Sequence, residues 1–311
     1  MNIFTVSMAP VNPPHDDGVK NIIVALARRL RKHNFFFVSS FFGRSFPRES
    51  NMIFLRSFFQ KRGKHSMSFF QKIYVLILII ANMGKVDVFQ FFITPQKYFS
   101  DFFGGFLKKK NKKSIQVVSS VHTLYKKNGE RVRPELFFAD RVVVYSDFAR
   151  KALEEIGVKG VVRICPGIDT EKFTTGSTGK NSGSIFSNDE PRVIYPGTYK
   201  VLSSSYSFED FCCIANRVIA GSSSVKFVMA CRLRTREDVA LQKSFIKMAE
   251  ETGVIRNFIF FNTVKNMALL FRDCDIGIMP AVSPMSGVLE MPMVMLEMAA
   301  MAKPVVYGKV P

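Results

Sequence analysis

At 311 residues the chain is long enough for two domains of roughly 150 residues, each able to bury its own core. Hydrophobic residues at 47%, spread in short blocks, and charged residues at 22% exclude disorder for most of its length. The net charge of +19 is lopsided: residues 1–178 hold 29 Lys+Arg against 13 Asp+Glu, and residues 179–311 hold 15 against 12. Such a field on the first half suits an anionic partner, whether a membrane surface, a lipid phosphate or a nucleic acid, unless the charge serves solubility alone.

The N-terminus, "MNIFTVSMAP", lacks the basic start and long apolar core of a secretory signal and reads as a first strand, Ile3–Ser7. In "PPHDDGVKN", Asp16, Asp17 and Gly18 precede a helix predicted over Val19–Lys32. Free backbone N–H groups there could receive an anionic group, or an Asp simply caps the helix and Gly18 makes its turn. Strands follow at Phe35–Ser40 and, more weakly, Met52–Leu55, then a helix over Phe69–Met83. That helix holds the most apolar run, "IYVLILIIANM", whose 11 residues fall short of the roughly 20 that cross a bilayer and read as a buried core helix. The neighbouring "SFFQKRGKHSMSFFQK" and "YFSDFFGGFLKKKNKK" interleave Phe with Lys and Arg, as surface-seeking segments do.

A strand at Val86–Phe91 and a helix over Pro95–Leu107 lead to a strand at Ile115–Val121, with His122 just beyond it in "VVSSVHTLY". His122 could serve a sugar hydroxyl or carbonyl, titrate near neutrality, or be structural. The strand Val142–Tyr145 runs into Ser146, a cap for the helix Phe148–Ile156. The strand Val161–Ile164 then meets Pro166 and Gly167 in "ICPGIDTEKF", where a Pro and a Gly stop regular structure and Asp169 suits a turn. Val, Ile and Phe runs without polar alternation, separated by helices, predict a doubly wound parallel sheet covered on both faces.

Residues 174–191, "TTGSTGKNSGSIFSNDEP", read as a flexible linker, since their Gly and Lys lack both the spacing and the context of a phosphate loop. The alternation then restarts. Strands are predicted at Val193–Tyr195, Val225–Cys231, Ile255–Phe260, Ile276–Met279 and Val305–Tyr307, and helices at Phe208–Ala220, Glu237–Glu251, Val264–Arg272 and Pro292–Met301. The division is a Rossmann-like domain over 1–175, a linker over 176–190 and a second Rossmann-like domain over 191–311. In "PMSGVLEMPMVMLEMAAMAKPVV", Gly287 allows close approach of a ligand, Pro292 opens a helix, and Glu297 sits amid Met, Leu, Val and Ala. A carboxylate there is costly to bury unless sugar hydroxyls or water meet it. Five cysteines, odd in number and without metal-ligand spacing, speak against a disulfide framework or a zinc site and suit a reducing cytoplasm.

Taken in order, "VVVYSDFARKAL", "ICPGIDTEKF", "DCDIGIMPAV" and "MLEMAAMAKPVV", together with "MNIFTVS" and its Gly18 loop and "VHT" at His122, resemble the family 4 glycosyltransferases of the GT-B fold. The resemblance implies two Rossmann-like domains facing a cleft, the first for an acceptor and the second for a nucleotide-sugar donor. By it, Glu297 holds the donor's ribose, Gly287 and Val288 offer backbone N–H groups to the diphosphate or sugar, and His122 faces the transferred sugar. The family's other sugar-binding Glu is replaced by Leu289, leaving Glu290 as the nearest acid. Where the family carries Arg and Lys after the first strand of the second domain, Gly197 matches and Lys200 alone brings charge, with Arg232 or Arg234 to compensate. Family members also continue past this chain's last residue, so the C-terminal domain reads as incomplete. The implied activity is a metal-independent, retaining transfer of a hexose from the donor to an acceptor, with no cofactor beyond the donor. The charge of the first half, which the resemblance does not supply, adds the expectation of an anionic or lipid-linked acceptor and of a peripheral position on the cytoplasmic face of a membrane. The alternative is an inactive module of the same fold serving as a binding or scaffold protein. Nucleic acid is set aside as a partner, because no recognition motif accompanies the charge.

Overall fold

A computed structural model describes residues 1–7, 18–38, 50–55, 69–93, 95, 97–118, 132–175, 183–205, 207–233, 235–264, 266–280 and 292–308. Among them, two compact units part between Gly167 and Ile168.

The first unit holds strands β1 (Asn2–Ser7), β2 (Asn34–Val38), β3 (Met52–Leu55), β4 (Val88–Phe92), β5 (Lys113–Val118), β6 (Arg141–Val144) and β7 (Val161–Arg163). Its helices are α1 (Gly18–Arg29), α2 (Phe69–Asn82), α3 (Lys97–Lys109) and α4 (Asp147–Glu155). The strands form one parallel sheet in the order β3-β2-β1-β4-β5-β6-β7, with Ile3 opposite Phe35 on one side and Val88 on the other. Alternate side chains of each strand feed two different cores, because successive Cβ atoms point to opposite faces. Phe4, Val6, Phe89 and Phe91 pack with Val75 and Ile79 of α2 and Phe103 and Leu107 of α3. Ile3, Phe35 and Phe37 pack with Ile23, Val24 and Ala27 of α1. A third cluster joins Val142 and Val144 to Ala149, Ala152 and Leu153 of α4. Ser146 caps α4, its Oγ accepting from Ala149 N–H at 3.1 Å, as the sequence predicts.

The second unit holds β8 (Arg192–Tyr195), β9 (Lys226–Ala230), β10 (Phe258–Phe261), β11 (Ile276–Met279) and β12 (Val305–Tyr307). Its helices are α5 (Tyr199–Ser205), α6 (Phe208–Gly221), α7 (Arg236–Glu251), α8 (Met267–Arg272) and α9 (Met293–Ala300). Its parallel sheet runs β10-β9-β8-β11-β12. Tyr195, Phe227 and Met229 face Phe211 of α6 and Phe245 of α7. Ile194 and Val228 face Leu270 and Phe271 of α8 and Met298 of α9. Both units therefore have the α/β, doubly wound, Rossmann-like architecture that the uninterrupted apolar runs predict.

Three local expectations are corrected. Ile255–Asn257, expected as the start of a strand, forms a short 3-10 turn, and β10 begins at Phe258. There Asn257 Nδ2 donates to the carbonyls of Ser223 and Val225, which secures the turn beside the start of β9. Helix α5, missed in the sequence, starts at Thr198, whose Oγ1 accepts from Val201 N–H at 3.2 Å. The apolar helix α2 is not a core helix on all sides: Val75 and Ile79 are buried, while Ile73, Ile77 and Ile80 are exposed.

Glycine is required between α4 and β7. Gly160 has φ +71°, and a Cβ there would lie 2.4 Å from the Asp140 carbonyl oxygen. Its own carbonyl accepts from Val142 N–H at 3.0 Å, tying β7 to β6. Gly157, at φ +85°, has open space around its Cβ position. Urea unfolding should separate the two effects. Gly157→Ala is expected to cost about 1 kcal/mol from backbone conformation alone, and Gly160→Ala on the order of 2–4 kcal/mol because a backbone oxygen must also move.

Candidate functional site

In an open parallel sheet, ligands gather at the carboxyl ends of the two strands where the winding reverses. In the second unit that point lies between β8 and β11, which are paired neighbours: the chain winds from β8 to β9 and β10 on one side, and β11 leads to β12 on the other. Past the end of β8 come Gly197 and α5, and the next helix after β11 is α9. In the first unit the corresponding point lies between β1 and β4, and Gly18 is the first residue of the helix that follows β1.

Helix α9 is built of Met, Val, Leu, Glu and Ala, most of them good helix formers, and begins after Pro292. Ala302 takes φ +55° and Lys303 N–H donates to the Met298 carbonyl at 3.1 Å, which closes the helix before Pro304. Its depth is set by a side chain and a gap. Met298 is fully buried, and its Sδ lies 2.5 Å from where a Cβ on Gly277 of β11 would be, so the missing side chain of Gly277 makes room for it. Glu297, the preceding residue, is carried inward with 7% of its surface exposed. Burial pushes its carboxyl up to about 7, with the charge of Lys172 pulling in the opposite direction. Among the described residues no hydrogen-bond donor reaches it.

Lys172 arrives through the turn in "PGIDTEKF". Asp169 Oδ1 accepts from Glu171 N–H at 3.2 Å and Lys172 N–H at 3.4 Å, and the Asp169 carbonyl accepts from Phe173 N–H at 2.8 Å. Asp169 thus acts as a turn residue. Phe173 is buried against Phe271, with ring centroids 6.2 Å apart, which fixes the turn to the second unit. Lys172 Nζ stands 5.0 Å from the Phe173 ring centroid. Sequence reading missed Lys172, since nothing in the spacing of residues so far apart in the chain announces its influence on Glu297.

The other predicted positions fall as follows. Gly197 is needed for packing: the Tyr195 ring folds back over it, so that a Cβ would lie 2.4 Å from Cζ, and the Tyr195 hydroxyl donates to the Thr198 carbonyl at 3.0 Å. Its N–H donates to the sulfur of fully buried Cys231, which joins the carboxyl ends of β8 and β9. Arg232 follows Cys231 and is half-buried. Lys200, on α5, pairs with Glu237 of α7 at 3.3 Å, with both side chains mostly exposed. Such a pair is weak and leaves Lys200 able to exchange partners. Gly197 and Arg232 thus follow the carboxyl ends of β8 and β9, and α9 is the next helix after β11. Gly18 belongs to the first unit. His122, Arg234, Gly287, Val288, Leu289 and Glu290 lie outside the described residues. Among the described residues no cluster of His, Cys, Asp and Glu is placed to hold a metal ion.

Comparison with known proteins agrees with this architecture. The model of Glycosyltransferase Family 4 matches residues 17–172. A glycosyltransferase from Rickettsia africae ESF-5 superposes with a TM-score of 0.65 at 14% identity, covering 98% of this chain and 78% of that one. Anabaena Alr3699/HepE, solved with UDP and glucose, gives 0.67 at 10% identity over 99% and 80%. The E. coli trehalose-6-phosphate protein bound with UDP-2-fluoro glucose gives 0.64 at 13% over 99% and 84%. No curated protein matches the chain. At such identities the structural likeness is one of fold, and the family match covers half of the sequence. The chain therefore belongs to Glycosyltransferase Family 4, a glycosyltransferase built as two Rossmann-like units of the GT-B fold.

Proposed function

We propose that this glycosyltransferase moves a hexose from a nucleotide-diphosphate sugar to an acceptor with retention of configuration, and without a metal. The donor is assigned to the second unit and the acceptor to the first. One observation carries the donor assignment: Glu297 is a buried carboxylate on the helix that follows β11, a strand of the switch point, and among the described residues no hydrogen bond offsets its burial. A ribose suits it, because two neighbouring hydroxyls can donate to one carboxylate. The UDP and UDP-sugar ligands of proteins sharing the fold support a donor of this class.

Helix α9 supports the placement of the diphosphate. Pro292 supplies no side-chain cap and the first turn holds no acid, so the first backbone N–H groups can point at an anion. Gly287, Val288 and Leu289 would extend that set of amides, with Lys200 and Arg232 as the neighbouring cations. Negative charge grows on the diphosphate as its bond to the sugar breaks, and preorganised amides and cations lower the barrier by meeting it. His122 and Glu290 are assigned to the transferred sugar. No side chain is assigned as a nucleophile.

The charge excess of residues 1–178 supports an anionic or lipid-linked acceptor, met by a peripheral protein at the cytoplasmic face of a membrane. Sedimentation with vesicles containing phosphatidylglycerol should show binding at low ionic strength that weakens as salt is added. Equal binding to neutral vesicles would overturn the electrostatic account.

The elevated carboxyl of Glu297 has opposite consequences for stability and for binding. Its proton is held more tightly in the folded chain, so its contribution to stability is complete below about pH 4.5 and is lost as pH rises through about 7. Glu297→Gln removes that loss and should raise stability at pH 8 relative to the parent by up to about 3 kcal/mol, at about 1.4 kcal/mol per pH unit. The same change should weaken UDP binding on the order of 10–100-fold, since hydrogen bonds to a charged acceptor are lost. In calorimetry the ratio of parent to variant affinity should grow from pH 6 to pH 8 as the carboxyl ionises. A variant that binds UDP as tightly as the parent at pH 8 would remove Glu297 from the donor site.

A further inference from the structure

Among the described helices, the outer face of α2 departs furthest from the rule that a helix at a protein surface turns charge and polarity outward. Phe69, Phe70, Ile73, Ile77 and Ile80 are 71%, 76%, 39%, 54% and 50% exposed. Their spacing of three and four residues places them along one side of the helix. The two rings contact each other edge to face, with centroids 5.9 Å apart. Ala81 is the remaining exposed residue of this helix, and its polar side chains, Gln71, Lys72, Tyr74 and Asn82, are all half-buried. Its inner face is satisfied, with Val75 and Ile79 buried against β1 and β4.

The surrounding sequence is basic. From Ser50 to Val86 there is no Asp or Glu, against Arg56, Lys61, Arg62, Lys64, Lys72 and Lys85. Helix α3 shares the core on which α2 rests. It exposes Phe102 and ends in a run in which Lys108, Lys109, Lys110 and Lys113 are exposed. That run is anchored beside the end of α2, where Lys112 Nζ donates to the Val86 carbonyl at 2.9 Å.

We infer that α2 lies in the plane of an anionic lipid surface, with Phe69, Phe70, Ile73, Ile77 and Ile80 among the acyl chains and the flanking cations on the headgroups. This reading rests on the membrane association proposed above and adds to it an inserted element. Charge selects the occupant: a second copy of this chain would bring the same +19, whereas an anionic bilayer offers apolar depth and opposite charge together. Insertion is interfacial. Fourteen residues make a helix of about 21 Å, short of the roughly 30 Å core, and no helix among the described residues is long and apolar enough to cross.

The chain contains no Trp, so Ile77→Trp creates a single reporter. Its emission should move to shorter wavelength on addition of phosphatidylglycerol vesicles and be quenched by lipids brominated in their acyl chains, while Val239→Trp on exposed α7 should show neither change. The double variant Phe70→Ser/Ile77→Ser should lower vesicle partition on the order of tenfold or more, since each apolar side chain withdrawn from water contributes substantially. Its UDP affinity should stay unchanged, which separates failure of this surface from failure of the donor site. Sedimentation with vesicles without quenching at position 77 would mean that charge alone holds the protein there and would overturn insertion. A blue-shifted reporter in a dimer without lipid would assign the face to a second copy instead.

Discussion

A carboxylate buried on an apolar helix is the constraint around which the second unit is organised. Removing an ionised group from water without a partner costs several kcal/mol, and the usual outcome is that the group takes up a proton. Glu297 lies at that balance, its carboxyl displaced to about 7 by burial with Lys172 holding it from going further. Each neighbouring feature serves to keep it there. Gly277 admits Met298 and so sets the depth of α9, Phe173 anchors the turn that delivers Lys172, and the Tyr195 ring over Gly197 shapes the end of the neighbouring strand. In the donor role proposed for Glu297, hydroxyl donors would relieve a burden that the folded protein already carries.

The parallel sheets were legible in the sequence for a simple reason. A strand covered on both faces needs no polar alternation, so "NIFTVS", "NFFFV" and "RVVV" stand out as short apolar blocks between helical stretches. Ser146 and Asp169 were legible because capping and turns are local chemistry, and the residues that perform them sit beside the backbone groups they satisfy. What is set by distant parts of the chain could not be read this way. Gly197 looks like a glycine kept open for a ligand, yet its most immediate need is the ring of Tyr195. Lys172 looks like one lysine among many until the fold brings its charge to bear on Glu297.

Helix α2 shows the limit more sharply. An apolar run of eleven residues says that water is unwelcome on the helix, and is silent about what replaces it. Periodicity cannot separate a helix buried on every side from one buried on half when the run is apolar around most of its circumference. The distinction lies in the number of neighbours the topology supplies. In this sheet β1 and β4 cover one side of α2 and nothing among the described residues covers the other. The Phe and Lys interleaved before the helix were the available clue, since a core helix gains nothing from a basic approach.

Charge and apolar surface in the first unit divide the work by range. Screened by physiological salt, a charge acts over about 8 Å, far enough to gather and orient a protein at an anionic surface but weakly per residue and reversibly. Apolar burial acts only on contact, is indifferent to salt, and amounts to roughly 1.5–3 kcal/mol for each large side chain fully withdrawn from water. Five such side chains on one face, without cations, would favour aggregation in water, and cations alone would leave the protein on the headgroups. The acid-free span that contains α2 joins the two, and in the membrane reading proposed above it brings the apolar face to an environment able to cover it. An enzyme whose acceptor is itself lipid-linked gains from such an arrangement, because the search for substrate then runs along a surface instead of through a volume.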